Sequence, residues 1–259
     1  LKTKNKIEQN PNYNNFLATT FLYEGDFDNG WKYYDNRRSK IDSKFDNLRE
    51  WLGESLLNKK ILVFSEQGIG DTIQFSKYLI PLLEISKNVT FVIQEKIIKI
   101  FRNDIDGLTI KKKLDINQKD YDFKIDLGSL VKFFYKKKIN NAISLFKINN
   151  NKINELVKIK KSKLNVGIAW SGSFYGPNEP YRSIPLKNLE KLFSLDINFY
   201  CLQSEIRNYD YDYFKSLNIV DCSNFDLIQI GEIINNLDLV ISTDTSILHL
   251  SACFNKETW

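Results

Sequence analysis

The feature that most limits what this chain can become is an alternation of two apolar rhythms, run through twice. From Lys59, short apolar runs bounded by polar residues alternate with segments whose apolar residues recur at helical spacing. "KILVFS" reads as a buried strand, and "DTIQFSKYLIPLLEI" as a helix through Ile73, Tyr78, Leu79, Leu82 and Leu83. Pro81 is placed to kink or shorten that helix. "NVTFVIQ" is a second strand and "EKIIKIFRN" a second helix, and "LTIKKK" and "DFKIDLG" supply further strands. The series then restarts. "LNVGIAW", "INFYCLQ", "LNIVDCS" and "DLVIST" read as strands; "PLKNLEKLFSL", "DLIQIGEIINNL" and "SILHLSACF" read as helices. Strands that alternate with helices build parallel sheets whose faces the helices cover.

Two successive α/β halves predict two Rossmann-like domains facing across a cleft, with ligands at the carboxyl ends of the strands. The Lys/Asn-rich stretch from about Lys147 to Ser162 reads as a helix and linker joining them. The first forty residues follow a different pattern. Pro11 precedes a helical run (Phe16, Leu17, Thr20, Phe21), Glu24-Gly25-Asp26 makes a turn, and Phe27, Trp31 and Tyr34 open a second run. Two amphipathic helices around a Gly turn match one tetratricopeptide unit of about 34 residues, or an ordinary helical hairpin. The expected division is a helical hairpin over 1–45, an N-terminal α/β domain over 46–155 and a C-terminal one over 156–259. Both ends read as cut. The chain opens on Leu1, and "NKETW" stops where a new strand should begin, so the second domain is expected to be truncated and repeats to lie upstream.

Composition narrows the function classes. At 42% hydrophobic residues over 259 positions the chain can bury a core, and a mean hydropathy of −0.35 fits a soluble protein. No apolar run approaches the ~20 residues of a membrane helix, and the opening "LKTKNKIEQNPNYNN" lacks the apolar centre of a signal peptide. Cys201, Cys222 and Cys253 are odd in number and widely spaced, which argues against a disulfide framework and for a cytoplasmic setting. The net charge of +5 is mild and the lysines are scattered, so no nucleic-acid footprint is present.

Three strand ends carry groups that could do chemistry. The first is "SEQGIGDTIQF", with Gln67, Gly68 and Gly70 leading to Asp71. A dinucleotide fingerprint would need a third glycine where Ile73 stands, and no Walker Gly-Lys-Ser/Thr is present. Asp71 can be a helix N-cap, with Gln74 completing a capping box, or a general base. The second is "AWSGSFYGPNEPYRSIP". Ser171, Gly172 and Ser173 offer backbone N–H groups to an anion, and Arg182 can pair with a diphosphate in bidentate fashion. The alternative is a surface loop with a solvated arginine. The third is "STDTSILHL", where Asp244, Thr245 and Ser246 stand at a helix start that would face an anion, or merely cap it. His249, the sole histidine, is a packed core residue or a site residue. One histidine and no CxxC spacing exclude the common zinc sites. No GxSxG elbow supports a Ser-His-Asp triad.

Together, "EQGIGDTIQFSKYLIPLL", "VGIAWSGS…RSIPL", "CLQSE" and "DLVISTDTSILHLSACFNKETW" resemble the heptosyltransferase-like glycosyltransferases of family 9, and more closely the version fused behind tetratricopeptide repeats. The resemblance runs from about Asn10 to Trp259. It implies the B-type glycosyltransferase fold (GT-B): two Rossmann-like domains, a nucleotide sugar on the C-terminal one and an acceptor on the N-terminal one. It implies an inverting, metal-independent enzyme without a cofactor, the nucleoside diphosphate sugar being a co-substrate. Asp71 matches the proposed base. Ser171, Gly172 and Arg182 match the phosphate-facing loop, although some relatives have lysine as the cation. Gln203 and Glu205 fall near the strand end that contacts the nucleoside, and Asp244, Thr245 and His249 match the donor signature. Two departures stand out: the final strand and returning helix are absent, and Ser251 and Cys253 replace small residues.

The resemblance implies transfer of a sugar, ADP-heptose being the family default, to a glycan such as a lipopolysaccharide core or to a protein hydroxyl. It implies a cytoplasmic enzyme, with the inner face of the membrane as a second setting, and repeats that could hold a protein partner. Two rival functions share the architecture: a non-catalytic repeat-linked scaffold that binds the nucleotide sugar, and a nucleotide-sugar epimerase.

Overall fold

The structure, a computed structural model, describes residues 11–35, 37, 45–147, 157–159, 162–173 and 179–259. The linker expected near Lys147–Ser162 lies mostly outside them. The chain forms two compact units. The first comprises the residues to Gly68, Phe75–Ile98 and Asn103–Asn140; the second comprises Ile69–Gln74, Lys99–Arg102 and Asn141–Trp259. Two short stretches from the first half of the chain therefore pack with the second half.

In the first unit, α1 (Pro11–Tyr23) and α2 (Phe27–Tyr34) form the expected hairpin. Gly25 turns the chain at φ +79°, a left-handed conformation that glycine adopts without cost. Asp26 then caps α2 by accepting a 3.1 Å bond from Asn29 N. The helices touch where Gly30 lacks a side chain, since a Cβ there would lie 2.6 Å from Leu22 Cδ2. The described residues contain one such pair, so they show a hairpin and not a repeat.

Four strands follow: β1 (Ile61–Phe64), β2 (Val89–Val92), β3 (Leu108–Lys111) and β4 (Phe123–Asp126). They form one parallel sheet in the order β3-β2-β1-β4. Every residue of β1 and β2 is buried, which is why these strands read as unbroken apolar runs. The helical pattern after β1 folds as two helices, α3 (Ile69–Ser76) and α4 (Leu79–Ile85). Pro81 explains the break, because it has no N–H for the carbonyl of Lys77 and its ring crowds that turn. α3 begins two residues before Asp71. Asp71 therefore stands in the first turn, where its charge opposes the helix dipole favourably, and is not the N-cap of a capping box. "EKIIKI" forms a 3-10 helix over Glu95–Ile100 instead of an α-helix. A short α-helix, α5 (Val131–Phe134), closes the unit's described elements.

The second unit repeats the scheme. α6 (Glu179–Arg182), α7 (Glu190–Phe193) and α8 (Asn208–Ser216) are interleaved with β5 (Asn165–Ala169), β6 (Asn198–Cys201) and β7 (Ile219–Asp221). α9 (Leu227–Asn236), β8 (Leu239–Ser242) and α10 (Ser246–Cys253) follow. The parallel sheet runs β7-β6-β5-β8. α9 opens on a capping box between Asp226 and Gln229. α8 has no counterpart in the expected elements, because it buries only Asp210 and Phe214 and so shows no apolar stripe. "PLKNLEKLFSL" is a 3-10 turn over Leu186–Leu189 running into the four residues of α7. In "NKETW" Thr258 forms an isolated parallel bridge with Val240, Trp259 N donates to Val240 O at 2.9 Å and Ser242 N donates to Trp259 O at 2.9 Å. All three cysteines are buried and none forms a disulfide, and desolvation pushes the Cys201 and Cys222 thiols up to about 12.

Gly167, in the middle of β5, lets Leu202 and Leu237 close over the strand, since a Cβ would lie 2.4 and 2.7 Å from their Cδ1 atoms. Gly167→Ala should destabilise the chain by about 1–3 kcal/mol through overpacking, read as a lower midpoint of urea unfolding.

Candidate functional site

The carboxyl ends of β5, β6 and β8 deliver three loops to one edge of the second sheet. Register fixes this, because Ile168 pairs with Cys201 and Ala169 with Ser242. Gln203, two residues past β6, then ties the first loop to the second. Its Oε1 accepts from Trp170 N at 3.0 Å and Ser171 N at 2.8 Å. Its Nε2 donates to Ser171 Oγ at 2.8 Å and to Glu205 O at 2.6 Å. Gln203 is 5% exposed, and its amide is committed to these internal bonds. It shapes the site, and the nucleoside contact expected of it would have to break this network.

Asp210 does the same from α8. Its Oδ2 accepts from Trp170 Nε1 and its Oδ1 from Leu186 N, both at 2.8 Å. A 2.8 Å bond from Ile184 N to Trp170 O also closes the base of the loop. The loop is thus pinned at its two ends while residues 174–178 lie outside the described residues. Sequence reasoning missed Asp210. A buried Asp that pairs with a Trp forty positions away leaves no local signal.

The Ser171–Ser173 backbone, expected to offer N–H groups to an anion, has internal partners for two of them. Ser171 N is bound to Gln203, and Gly172 N donates to Ser183 Oγ at 3.2 Å. Two of the three amides are thus already used, while Ser173 is exposed. Positive charge comes instead from two arginines that meet at Gly172. Arg182, the last residue of α6, lays its guanidinium over the Gly172 α-carbon. A Cβ there would lie 2.7 Å from Arg182 Nε and 3.1 Å from Nη2. Its Nη1 donates to Asp244 O at 3.4 Å, which links the β5 loop to the β8 loop. Arg182 Nε is buried and makes no hydrogen bond among the described residues. Arg207, before α8, donates from Nη2 to Gly172 O at 3.3 Å. It follows "CLQSE" by two positions, and that adjacency is the signal that could have found it. Glu205 itself is exposed.

At the third loop Thr245 is the N-cap of α10, and its Oγ1 accepts from Ile247 N at 3.3 Å. Ser242 Oγ lies 3.2 Å from the same hydroxyl. Asp244 is exposed, and its Oδ1 stands 3.4 Å from His249 Nε2, whose side chain is 16% exposed. The His249 ring also meets the loop that carries Asp71. A Cβ at Gly70 would lie 3.1 Å from His249 Cδ2 and 3.5 Å from Ser246 N, and Cys253 Sγ donates to Ile73 O at 3.7 Å. Asp71, half-buried, follows Gly70 directly. The structure thus brings Gly70, Asp244, Thr245 and His249 into one neighbourhood, and Ser171, Gly172, Arg182 and Gln203 into an adjoining one through the Arg182–Asp244 bond. Gln67 and Gly68 belong to the first unit. Among the described residues no group of three or more His, Cys, Asp or Glu could hold a metal ion, and no helix is long and apolar enough to cross a membrane.

Gln203→Ala would leave two buried backbone N–H groups unpaired. It should cost about 2–4 kcal/mol, seen as a lower melting temperature with nucleotide absent. A contact residue with no structural role would leave that temperature unchanged.

No protein-family model matches the sequence, and no curated protein does. Solved structures do match. The iron-containing dodecameric glycosyltransferase TibC of enterotoxigenic E. coli aligns with a TM-score of 0.56 at 8% identity, over 82% of this chain and 58% of TibC. TibC in complex with ADP-D-beta-D-heptose aligns at 0.57 and 7% identity, over the same shares. The glycosyl transferase family 9 protein of Veillonella parvula aligns at 0.56 and 12% identity, over 77% of this chain and 80% of that one. The chain therefore spans 58% of the length of TibC. At these identities the likeness is one of fold, and it agrees with the α/β class with two parallel sheets expected from the sequence.

Proposed function

We propose that the chain is the donor-binding and base-bearing part of an inverting glycosyltransferase that moves a sugar from a nucleoside diphosphate sugar to a hydroxyl. The observation that carries this reading is the meeting of two guanidinium groups at Gly172, beside the loops after β5 and β8. Arg182 Nη1 is held by the Asp244 carbonyl, which leaves Nε and Nη2, the edge that forms a side-on fork with an oxyanion. Gly172 gives that edge room, because a Cβ would fall within 3.1 Å of both nitrogens. A diphosphate is the chemistry such an edge suits, and the fold likeness to a glycosyltransferase whose complex holds ADP-heptose points the same way.

The reaction asks for a base, an electrophile and a stabilised leaving group. Asp71 takes the proton of the acceptor hydroxyl, whose oxygen attacks the anomeric carbon from the face opposite the diphosphate. The bond from that carbon to the phosphate oxygen breaks, and the diphosphate leaves with the electron pair. Arg182, Arg207 and the amino end of α10 neutralise the growing charge, so this scheme needs no metal. The Asp244–His249 pair, 3.4 Å apart, holds the β8 loop against α10. ADP-heptose is the donor of first choice, and the acceptor is a glycan or protein hydroxyl.

Calorimetry of ADP binding tests the donor half. Arg182→Ala and Gly172→Ala should each weaken binding at least tenfold, and unchanged affinity in both would remove the anion site as drawn. For the base, Asp71→Asn should leave ADP affinity within about twofold while sugar transfer falls by two orders of magnitude or more. Retained transfer in a folded Asp71→Asn protein would take the base role away from it.

A further inference from the structure

We infer that Asp210 is a positioning residue for Arg182: its two carboxylate oxygens fix both flanks of the loop after β5, and so set where the guanidinium lies against Gly172. The inference rests on the reading of Arg182 as a diphosphate contact, and it gives a role to a buried charge that the proposed chemistry leaves unused. All the groups involved belong to the second unit.

Burying a carboxylate is costly unless its oxygens are bonded. Asp210 is 2% exposed, and each of its oxygens takes one N–H from a different flank of the loop. Oδ2 accepts from Trp170 Nε1, where the chain leaves β5, and Oδ1 accepts from Leu186 N, where the chain returns, both at 2.8 Å. Trp170 and Leu186 are themselves buried and share one apolar cluster with Phe214, which lies one turn after Asp210 on α8. The two flanks are also joined to each other. Ile184 N donates to Trp170 O at 2.8 Å, and Gly172 N donates to Ser183 Oγ at 3.2 Å. Arg182 directly precedes this bonded stretch, so its side chain starts from a fixed point.

The same turn of α8 carries the second arginine. Asp210 N donates to Arg207 O at 2.9 Å, and Arg207 Nη2 donates to Gly172 O at 3.3 Å. This turn therefore holds the loop at Trp170, Gly172 and Leu186, on either side of the place where Arg182 lies. Asp210 stands in the first turn of α8, where the helix dipole favours its charge. An asparagine of the same shape would not serve, because one oxygen would become an NH2 group facing an N–H donor. Apolar packing of Trp170 and Leu186 fills space, whereas two hydrogen bonds to a charged group also fix direction. A side-on fork needs direction: both of its bonds to an oxyanion depend on how the guanidinium plane is turned.

The test is a double-mutant cycle on ADP affinity, measured by calorimetry on the 259-residue chain well below the unfolding midpoint of each variant. Asp210→Asn should weaken ADP binding about tenfold or more in the wild-type background, and less than about threefold where Arg182→Ala has already been made. A residue that supports only the fold would lower affinity by the same factor in both backgrounds. That result, or no loss in either background, would overturn the inference. If Asp210→Asn fails to fold, Trp170→Phe takes its place, since it removes one of the two bonds and keeps a ring. It should weaken binding about fivefold or more in the wild-type background and less than about twofold after Arg182→Ala; equal losses would overturn the inference here too. Failure of the wild-type chain to bind ADP would remove the donor-site reading and this inference with it. Intact wild-type binding with Asp210→Asn unmoved would remove this inference alone.

Discussion

A parallel strand can pair only after the chain has crossed back over the sheet, so every strand in each of these sheets ends at the same edge. That constraint governs where chemistry can be assembled here. Ala169 pairs with Ser242 and Ile168 with Cys201. The residues that follow, Ser171, Gln203 and Thr243–Thr245, therefore emerge side by side although up to 74 positions separate them. In the first sheet Phe64 pairs with Asp126 and with Val92, which sets the loops after β4 and β2 on either side of the loop after β1. Ligand-bearing loops gather at such edges because the backbone stops pairing there and side chains take over.

Gathering loops is not the same as fixing them. A strand end carries N–H and C=O groups that the sheet no longer satisfies, and buried ones are expensive to leave alone. Gln203 and Asp210 answer this in the second unit. One amide takes up two consecutive N–H groups of the β5 loop, and one carboxylate takes up the Trp170 indole and the N–H that closes the same loop. Gln94 answers it in the first unit for the loop after β1, its Nε2 donating to Gln67 O at 2.6 Å. In both cases a polar side chain from a distant element stands where the next residue of a strand would have bonded. A fully satisfied polar network of this kind holds one geometry more sharply than apolar packing does.

What could be read from the sequence divides along the same line. Strands buried along their whole length, β1, β2 and β5, announce themselves as apolar runs. The partly exposed β3, β7 and β8 still show short apolar stretches between polar ones, and Pro81 marks the break in the helix after β1. α8 has no plain apolar stripe because only Asp210 and Phe214 are fully buried in it, and one of the two is charged. Glu95–Ile100 looked α-helical because six residues are too few to separate periods of 3.0 and 3.6. Among site residues, Arg182 and Thr245 could be singled out by type and by position after a strand. The bonds they make could not, and neither could the commitment of the Ser171 and Gly172 amides. Long-range pairing leaves no periodic trace. For that reason the sequence could not show that the Gln203 amide bonds inside the protein, nor pick out Arg207 and Asp210.

Arginine at position 182 does something that a lysine would not. Nη1 spends one N–H on the Asp244 carbonyl and so joins two loops, while the opposite edge of the same planar group lies along Gly172. A lysine ammonium could supply the charge, but as a compact, strongly hydrated point it has no second edge held in a fixed direction. The buried Nε without a partner among the described residues is costly in isolation, and buried polar atoms in that condition call for an explanation. Under the proposed function, an oxyanion on the Nε–Nη2 edge would supply one. Were lysine to stand there, the link between the two loops would have to come from another residue. Position 182 and glycine 172 should therefore vary together: an arginine that lies flat needs a neighbour with no Cβ, and a lysine does not.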